Sequence, residues 1–327
     1  MKINKLLPAA FIAFAMLATP AFADEEESNK DDNLSFYTTV DFAYYPASAH
    51  ANTVSNHFSM INGAYSGLEG RVEGGLNYVI PTPLGDNWLV NSANVTLNGA
   101  LELTPISVKS AAKVSFTPVP FLVFSAGIQE GTGWEIPGLM QGMAAYNGTD
   151  YANLTAFKNN FVKWWAQGTF QFDTGALIPG DWTHIVMMYS YQVYYEGMTG
   201  VADGQLWSWQ GSKDKVNGLC EYMCGILAYQ MPIPLYRVGV MVESNGHYSA
   251  SDYGVYGDSY NGSFKTISIS PLAQINIGSH DQLTTLLGFS SRRAYSDYDK
   301  TKTEATLTYV SREWFFNRVA LSWTHNF

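Results

Sequence analysis

Residues 68–80 (LEGRVEGGLNYVI) carry charged side chains at every second position: Glu69, Arg71 and Glu73. Successive side chains of a β-strand point to opposite faces, so a strand here places all three charges on one face. Carboxylates and a guanidinium along one wall can orient ions and small polar solutes, or they can pair with each other as salt bridges. The spacing therefore predicts a charged strand face, and its use depends on whether that face borders water.

Charged residues occupy the same polar phase of other alternating segments. If this phase faces inward, the predicted lumen-lining residues are Asp41, Glu69, Arg71, Glu73, Lys109, Lys113, Lys163, Asp173, Arg237 and Glu243. The same reasoning adds Glu102, Arg292, Glu304, Arg312 and Arg318. Basic and acidic members of this set nearly balance, which predicts a mixed wall rather than a ring of one sign.

The best candidates for catalysis lie around His247. Glu243 precedes it on the same strand face, and Ser249, Ser251 and Asp252 follow. Nucleophilic catalysis needs a nucleophile, a base and an orienting group within hydrogen-bond reach. The sequence has no Gly-x-Ser-x-Gly motif, no pair of metal ligands on a helix and no phosphate loop. We predict no catalytic residues and no enzyme, and an outer-membrane hydrolase is the least favoured alternative.

Cys220 and Cys224 are the only cysteines. On an extended strand they lie about 13 Å apart, which is too far for a disulfide. A single Cys-x-x-x-Cys pair without a neighbouring histidine in sequence is also weak evidence for zinc. We predict two half-buried residues, no metal site and no cofactor.

The N-terminus has the pattern of a secretory signal peptide. Lys2 and Lys5 precede an apolar run, and small residues around Ala21 and Ala23 offer a cleavage site. The run is too short to span a bilayer as a helix. We predict a signal peptide over residues 1–23, a short acidic tail over 24–33 and one barrel domain over 34–327.

Composition favours a surface that faces lipid. Aromatic residues make up 15% of the chain and charged residues only 14%, which is expected for a barrel in a membrane. Removing Lys2 and Lys5 with the signal peptide takes the net charge from -10 to -12. This acidic balance argues against nucleic acid as a partner.

Alternation of apolar and polar residues continues from end to end of the mature chain. In residues 91–103 (NSANVTLNGALEL) one face carries Val95, Leu97 and Leu101, and the other carries Asn98 and Glu102. Segments of ten or more residues with period two exceed typical sandwich strands, and lipid admits strands only in a closed barrel. The fold class predicted is all-β, a closed antiparallel transmembrane β-barrel with apolar residues outside.

The number of strands depends on the last segment. Short breaks containing proline, such as 81–83 and 232–234, predict turns, and we expect them to alternate strictly with longer polar loops. Polar residues from Glu304 to Thr324, including Arg312 and Arg318, keep one phase without an intervening glycine or proline. One long final strand therefore fits better than two, giving about twelve strands, with fourteen as the alternative.

The final residues resemble the terminal strand of bacterial outer-membrane β-barrel proteins of the porin-like kind. Phe327 ends the chain, and Trp323, Leu321 and Val319 precede it at intervals of two, although His325 departs from the usual apolar residue. The resemblance implies a bacterial outer-membrane location, contact with outer-membrane lipids, and insertion by the barrel-assembly machinery. It identifies no subfamily and no oligomeric state.

On this basis we expect a porin-like channel for small polar solutes. The alternatives are a barrel filled by salt bridges that serves a structural role, and a surface-recognition or adhesin barrel. The loop near 132–160 either folds inward or stays outside as a flap, and Tyr151 to Lys158 could form a short helix. Aromatic residues of later loops, including Trp207, Trp209 and Tyr253, are expected to form an outer girdle or, less favoured, to stack on sugars.

Overall fold

The computed structural model describes residues 33–50 and 58–327, which form a closed antiparallel β-barrel of twelve strands. The predicted signal peptide and nearly all of the predicted acidic tail lie outside the described residues. The barrel strands are β1 Leu34–Ser48, β2 Ile61–Pro81, β3 Asn94–Thr104, β4 Ser107–Val119, β5 Leu122–Gly133, β6 Phe161–Asp173, β7 His184–Met198, β8 Gly218–Gln230, β9 Arg237–His247, β10 Thr266–Ile277, β11 Asp281–Tyr295 and β12 Tyr309–Asn326. Both the predicted fold class and the preferred strand count are confirmed.

Each strand pairs with its neighbours in sequence, and β12 closes the barrel against β1. The closing register runs from Tyr37 opposite Asn326 to Tyr44 opposite Val319. The backbone N–H of Phe327 extends this pairing by donating to the carbonyl of Phe36 at 3.0 Å. Closure leaves no unpaired sheet edge, which is the condition for a β-structure in lipid.

Inward and outward faces follow the alternation in the sequence. Along β1, Phe36, Val40 and Phe42 are exposed on the outside, whereas Thr39 and Asp41 are buried on the inside. The outside of the other strands is likewise apolar, with Leu76, Leu101 and many similar side chains exposed. An apolar outer band around a closed barrel is the surface that a bilayer stabilises.

The connections differ at the two ends of the barrel, but they do not alternate strictly in length as predicted. The end that holds Asn33 and Phe327, here called the terminal end, carries connections 82–93, 120–121, 174–183, 231–236 and 278–280. The opposite end, here called the long-loop end, carries the end of β1 and the start of β2, together with connections 105–106, 134–160, 199–217, 248–265 and 296–308. A tight hairpin at 105–106 and a long connection at 82–93 break the expected rule.

The last strand is single, as predicted, but its phase is not continuous. Its pairing with β11 shifts between Gly288 and Phe289, so that Phe316 and Asn317 straddle a bulge. A bulge moves the residues beyond it to the opposite face. Glu313 is therefore inward and Arg312 is not, while Glu304 lies in a 3₁₀ turn before the strand. The predicted inward assignment of Arg312 is wrong because of the bulge, and that of Glu304 is wrong because this residue lies outside the strand.

Short strands occur within the long loops. Met143–Tyr146 pairs with Tyr151–Asn153 and with Trp207–Trp209, which in turn pairs with Ser212–Lys215. Tyr151 therefore begins a strand rather than the predicted short helix. Among the described residues, no helix has the length and apolar character needed to cross a membrane.

Candidate functional site

The lumen is the candidate site, because all ten predicted lumen-lining residues lie on the inward phase of their strands. Their exposure depends on which strand they belong to. Inward residues of β2–β6, here called the open half, are largely half-exposed, as at Glu73 and Lys113. Inward residues of β7–β12, here called the filled half, are mostly buried, as at Glu243. This asymmetry defines the space that water can reach inside the barrel.

Four charged residues form a chain across β1–β4 near the long-loop end. The Arg71 guanidinium bridges the carboxylates of Asp41 and Glu102, with Nη1 lying 3.0 Å from Glu102 Oε2. Lys109 Nζ lies 2.9 Å from the same Glu102 oxygen. Both carboxylates are almost fully buried, with side chains 0% and 3% exposed. Such pairs hold adjacent strands together, and removing one partner leaves a buried charge.

Below this chain the wall of the open half is polar and less tightly paired. Tyr37 donates from its hydroxyl to Glu73 Oε1 at 3.1 Å, and Asn98 donates to Asn77 Oδ1 at 2.9 Å. Half-exposed polar residues continue this wall, namely Lys113, Ser115, Ser125, Gln129, Gln167 and Thr169. Glu69 lies higher and is covered by Tyr45, whose hydroxyl donates to Oε2 at 2.9 Å. Glu73, rather than Glu69, is the acidic group that faces the water-accessible space.

Aromatic rings narrow the open half where glycines let them lie against the wall. The Tyr37 ring rests on Gly75 and the Trp165 ring on Gly127, in places where a Cβ would collide with the ring. Glycine at these two positions therefore admits close ring approach that other residues would prevent.

An apolar cluster occupies the filled half. Its buried members come from β1 and β7–β12, and Trp165 and Met188 pack against it. They are Ala43, Tyr45, Tyr194, Cys220, Tyr222, Cys224, Ile226, Ala228, Met241, Leu272, Leu286 and Ala320. Tyr222 donates to Glu243 at 2.7 Å, and Tyr194 donates to Asn245 at 2.6 Å. The cluster restricts any passage to the open half.

The remaining predicted lumen residues lie around this cluster. Lys163 is buried with its Nζ 3.8 Å from the centre of the Tyr194 ring, a cation–π contact. Asp173 and Arg237 lie toward the terminal end, where Asp173 pairs with His184 at 2.8 Å and Arg237 donates to Gln230 at 2.8 Å. These residues lie in the interior, and their role in lining a pore stays a prediction.

Four long connections pack together over the long-loop end and form what we call the cap, made of residues 134–160, 199–217, 248–265 and 296–308. One apolar cluster of the cap includes Leu206, Val216, Tyr253, Tyr260 and Leu307. The other joins Met143, Met198, Val201, Trp207 and Trp209 to Phe161. Trp207, Trp209 and Tyr253, which were predicted as part of an outer girdle or sugar platform, are instead buried within the cap.

Gln210 of the cap contacts the charge chain of the lumen directly. Gln210 donates from its amide to Glu102 Oε1 at 3.1 Å and to Ser107 Oγ at 2.8 Å. Trp209, its neighbour, stacks on Phe161 with ring centres 4.8 Å apart. The segment at 207–215 therefore fills the inward role that we considered for the 132–160 loop, and it closes over the charge chain.

Asp214 connects all four loops of the cap. Its carboxylate accepts hydrogen bonds from the Tyr151 hydroxyl at 2.9 Å, the Thr303 hydroxyl at 2.8 Å and the Glu304 backbone N–H at 3.3 Å. Its carbonyl accepts from the Tyr253 hydroxyl at 3.1 Å. Asp214 has φ of 59°, a left-handed conformation that aspartate tolerates better than most residues.

Burial of the Asp214 carboxyl group raises its pKa, and the charge of Glu304 raises it further, while the hydrogen bonds from Thr303 and Tyr151 act in the opposite direction. The pKa of the Tyr151 hydroxyl is also raised, chiefly by burial and then by the Asp214 charge. Protonated Asp214 is therefore favoured in the closed cap more than in free loops.

The histidine cluster considered for catalysis has a different arrangement. Ser249 and Ser251 place their hydroxyl oxygens 2.7 Å from each other, and His247 Nδ1 lies 3.0 Å from Asp252 Oδ2. Both cysteines are free and buried, facing the lumen, rather than half-buried as predicted. His247 lies directly opposite Cys220 on the neighbouring strand. The sequence does not predict this neighbour, because the register between two strands cannot be deduced from the spacing of residues along the chain.

The four residues of the predicted assembly signal lie on the outward phase of the closing strand and its end. Leu321 and Trp323 are exposed, and Phe327 is more exposed still, whereas Val319 is intermediate. Recognition by an assembly machinery stays a prediction.

The chain is similar to solved barrels from several bacteria. The β domain of the Bordetella autotransporter BrkA is 8% identical, with a TM-score of 0.47 and coverage of 90% of this chain and 99% of that one. An outer-membrane channel from Pseudomonas putida F1 is 12% identical, with a TM-score of 0.47 and coverage of 94% and 100%. The channel DcaP of Acinetobacter baumannii is 10% identical, with a TM-score of 0.36 and coverage of 90% and 96%. No protein-family model and no curated protein matches the chain.

Proposed function

We propose that this protein is a bacterial outer-membrane, porin-like channel for small polar solutes, closed in this structure by its cap. The observation that carries the proposal is the asymmetry of the lumen. Most polar inward residues of β2–β6 are half-exposed, with Glu102, Ser107, Lys163 and Asp173 as buried exceptions, whereas most of those of β7–β12 are buried. In a barrel filled by side chains, both polar walls would be expected to be buried alike.

The apolar outer band and complete closure of the barrel support a membrane location. Lipid requires that every backbone hydrogen bond be made within the barrel, and β12 against β1 completes that set. We propose that the chain is exported through a cleaved signal peptide, contacts outer-membrane lipids and is inserted by the barrel-assembly machinery. Deleting Phe327 should then lower the amount of barrel recovered in outer-membrane fractions, and an unchanged amount would remove this part of the proposal.

We propose that solutes pass along the open half. The charge chain and Gln210 lie at the long-loop end of this path. Mixed charges along a narrow polar wall orient dipolar solutes without selecting strongly for one sign. Opening requires the 207–215 segment to withdraw from Glu102 and Ser107, which it contacts through Gln210.

Reversing the charge of Glu73 should shift ion selectivity toward anions. Glu73 is half-exposed on the open wall, and Lys113 contributes a positive charge two strands away. The measurement is the reversal potential in a salt gradient, made with Glu73→Lys in the Asp214→Ala background, where the cap is loosened. We expect the anion-to-cation permeability ratio to rise several-fold.

Glu130→Lys is the matched control, because Glu130 belongs to β5 but is exposed on the outward phase. It changes the net charge equally without changing the lumen wall, so its permeability ratio should stay close to that of the parent. Equal ratios for Glu73→Lys and the parent would exclude this wall from the conduction path.

A filled barrel that displays a surface through its loops is the second candidate. The apolar cluster of the filled half and the interlocked cap favour it. A filled barrel of this kind would pass no ion current even after the cap is loosened. The hydrolase alternative gains no support from the described residues around His247, where the two serines pair with each other.

A further inference from the structure

A group of three different metal-ligating side chains lies in the lumen just below the cap. Glu196 of β7, Cys220 of β8 and His247 of β9 place their ligand atoms all within 4.8 Å of one another. All three residues are buried, with exposures of 7%, 1% and 6%. A carboxylate, a thiol and an imidazole together are a donor set typical of zinc rather than of calcium or magnesium.

The strand register is what brings the group together. Cys220 lies directly opposite His247 on one side and opposite Tyr194 on the other, and Glu196 is two residues beyond Tyr194 on the same face. All three side chains therefore share one face of three adjacent strands. A tetrahedral zinc ion needs ligand atoms about 3.4–3.7 Å apart, so small side-chain rotations are enough to close the set.

The surroundings of His247 favour one orientation of its ring. Nδ1 lies 3.0 Å from Asp252 Oδ2, and the Tyr253 ring packs edge-on with its centre 5.1 Å away. When Nδ1 carries the proton donated to Asp252, Nε2 is the nitrogen that is left to bind a metal. A carboxylate behind a ligating histidine is the usual arrangement around zinc. Asp252 lies in a 3₁₀ helix over Ala250–Tyr256. Ser249 caps the start of this helix, because its side chain accepts a hydrogen bond from the Ser251 backbone N–H at 3.2 Å.

Lys215 forms an ion pair with Glu196, one of the three candidate ligands. Its Nζ lies 2.7 Å from Glu196 Oε1 and balances the carboxylate when no metal is bound. A carboxylate that binds metal through one oxygen keeps the other for this contact, so the ion pair and the metal can coexist. Binding would deprotonate the Cys220 thiol, and the proton would leave to solvent.

We propose that Glu196, Cys220 and His247 form a binding site for a zinc-class divalent cation, with Asp252 as the positioning residue. Three protein ligands leave a fourth position for water, as in zinc sites that stay open to ligands. The site lies apart from the open wall, so it does not depend on whether the barrel conducts.

Cobalt substitution tests the site on the refolded full-length barrel in detergent. A cysteine thiolate bound to Co²⁺ gives a charge-transfer absorption band that carboxylates and imidazoles alone do not give. We expect this band to appear on titration with Co²⁺ and to disappear when Zn²⁺ is added. Absence of the band in a folded wild-type barrel would overturn the proposal.

Cys224 provides the matched control. It lies on the same strand and the same inward face, and it is equally buried, but its neighbours are Tyr222 and Glu243 without a histidine. Cys220→Ser should abolish the band and Cys224→Ser should keep it. The opposite result, or loss of the band in both variants while both remain folded, would overturn the assignment.

Two further variants separate binding from positioning. His247→Ala should weaken Co²⁺ binding by tenfold or more. Asp252→Asn should weaken it by about 10–100-fold while leaving the energy of the thiolate band unchanged, because only the support of His247 is altered. Stability provides a second readout that does not depend on the ligand variants: Zn²⁺ should raise the unfolding midpoint of the wild type and of Cys224→Ser. Equal midpoints with and without Zn²⁺ in the wild type would contradict the site.

Discussion

Replacing Arg71 by methionine is expected to destabilise the folded barrel by about 3–5 kcal/mol, the cost typical of breaking a buried ion pair from one side. Arg71 bridges Asp41 and Glu102, whose side chains are 0% and 3% exposed. Methionine keeps much of the side-chain volume but leaves the Asp41 carboxylate buried without its partner. Lys109 still neutralises Glu102, so the loss falls mainly on the contact between β1 and β2.

Urea unfolding in detergent, followed by tryptophan fluorescence, measures this effect as a shift in midpoint. Lys113→Met is the control, because Lys113 faces the same lumen but is half-exposed. We expect a change below about 1 kcal/mol for it, as for most residues outside buried networks. Adding Asp41→Asn to Arg71→Met should recover part of the loss, since the orphaned charge is then removed. Equal stability of Arg71→Met and the wild type would show that the charge chain does not hold these strands.

Replacing Asp214 by alanine is expected to loosen the cap without unfolding the barrel. The substitution removes three hydrogen bonds accepted by the carboxylate, each worth about 0.5–1.5 kcal/mol, so the cap should lose about 1.5–4.5 kcal/mol. Alanine is also less favourable than aspartate at a φ of 59°. Hydrogen exchange at backbone amides of the four loops is the measurement, and exchange there should become faster while the barrel strands keep their protection.

The raised pKa of Asp214 gives this prediction a pH dependence with a definite sign. A carboxyl group whose folded pKa is raised contributes stability that is fully present below its unfolded pKa and is lost as pH rises through its folded pKa. Loop protection in the wild type, corrected for intrinsic exchange, should therefore be greater at acid than at neutral pH. Asp214→Asn keeps a hydrogen-bond acceptor without the charge, so it should protect the loops at both pH values. Loops that exchange equally in all three proteins would show that Asp214 does not hold the cap.

Much of the barrel was predictable because a strand in lipid alternates apolar residues, which face the lipid, with residues that face the interior of the barrel. The apolar positions of β1 and β3, such as Phe42 and Leu101, identify the outward face directly. The opposite phase of the alternation places Asp41, Glu69 and Arg71 inside. Because these residues belong to neighbouring strands, salt bridges between them could be expected from the sequence. The bridge from Arg71 to both Asp41 and Glu102 could not.

The features that escaped prediction depend on registers and on packing between distant segments. A bulge at Phe316 and Asn317 reversed the face of Arg312, and no glycine or proline marks it in the sequence. The cap brings Tyr151, Asp214 and Thr303 together although they lie far apart along the chain. Aromatic residues of loops carry no periodic pattern, so nothing in the sequence distinguishes a packed cap from a girdle. The placement of Cys220 beside His247 likewise follows from a hairpin register.

We propose that the open half of the lumen is a conduction path closed by the cap. Ion current through single barrels in a planar lipid bilayer, compared between the wild type and Asp214→Ala at neutral pH, tests it most directly. We expect brief and infrequent openings for the wild type and long-lived openings of similar size for Asp214→Ala. Absence of current in both proteins, with the barrel shown to be folded and inserted, would contradict the account and identify a filled barrel.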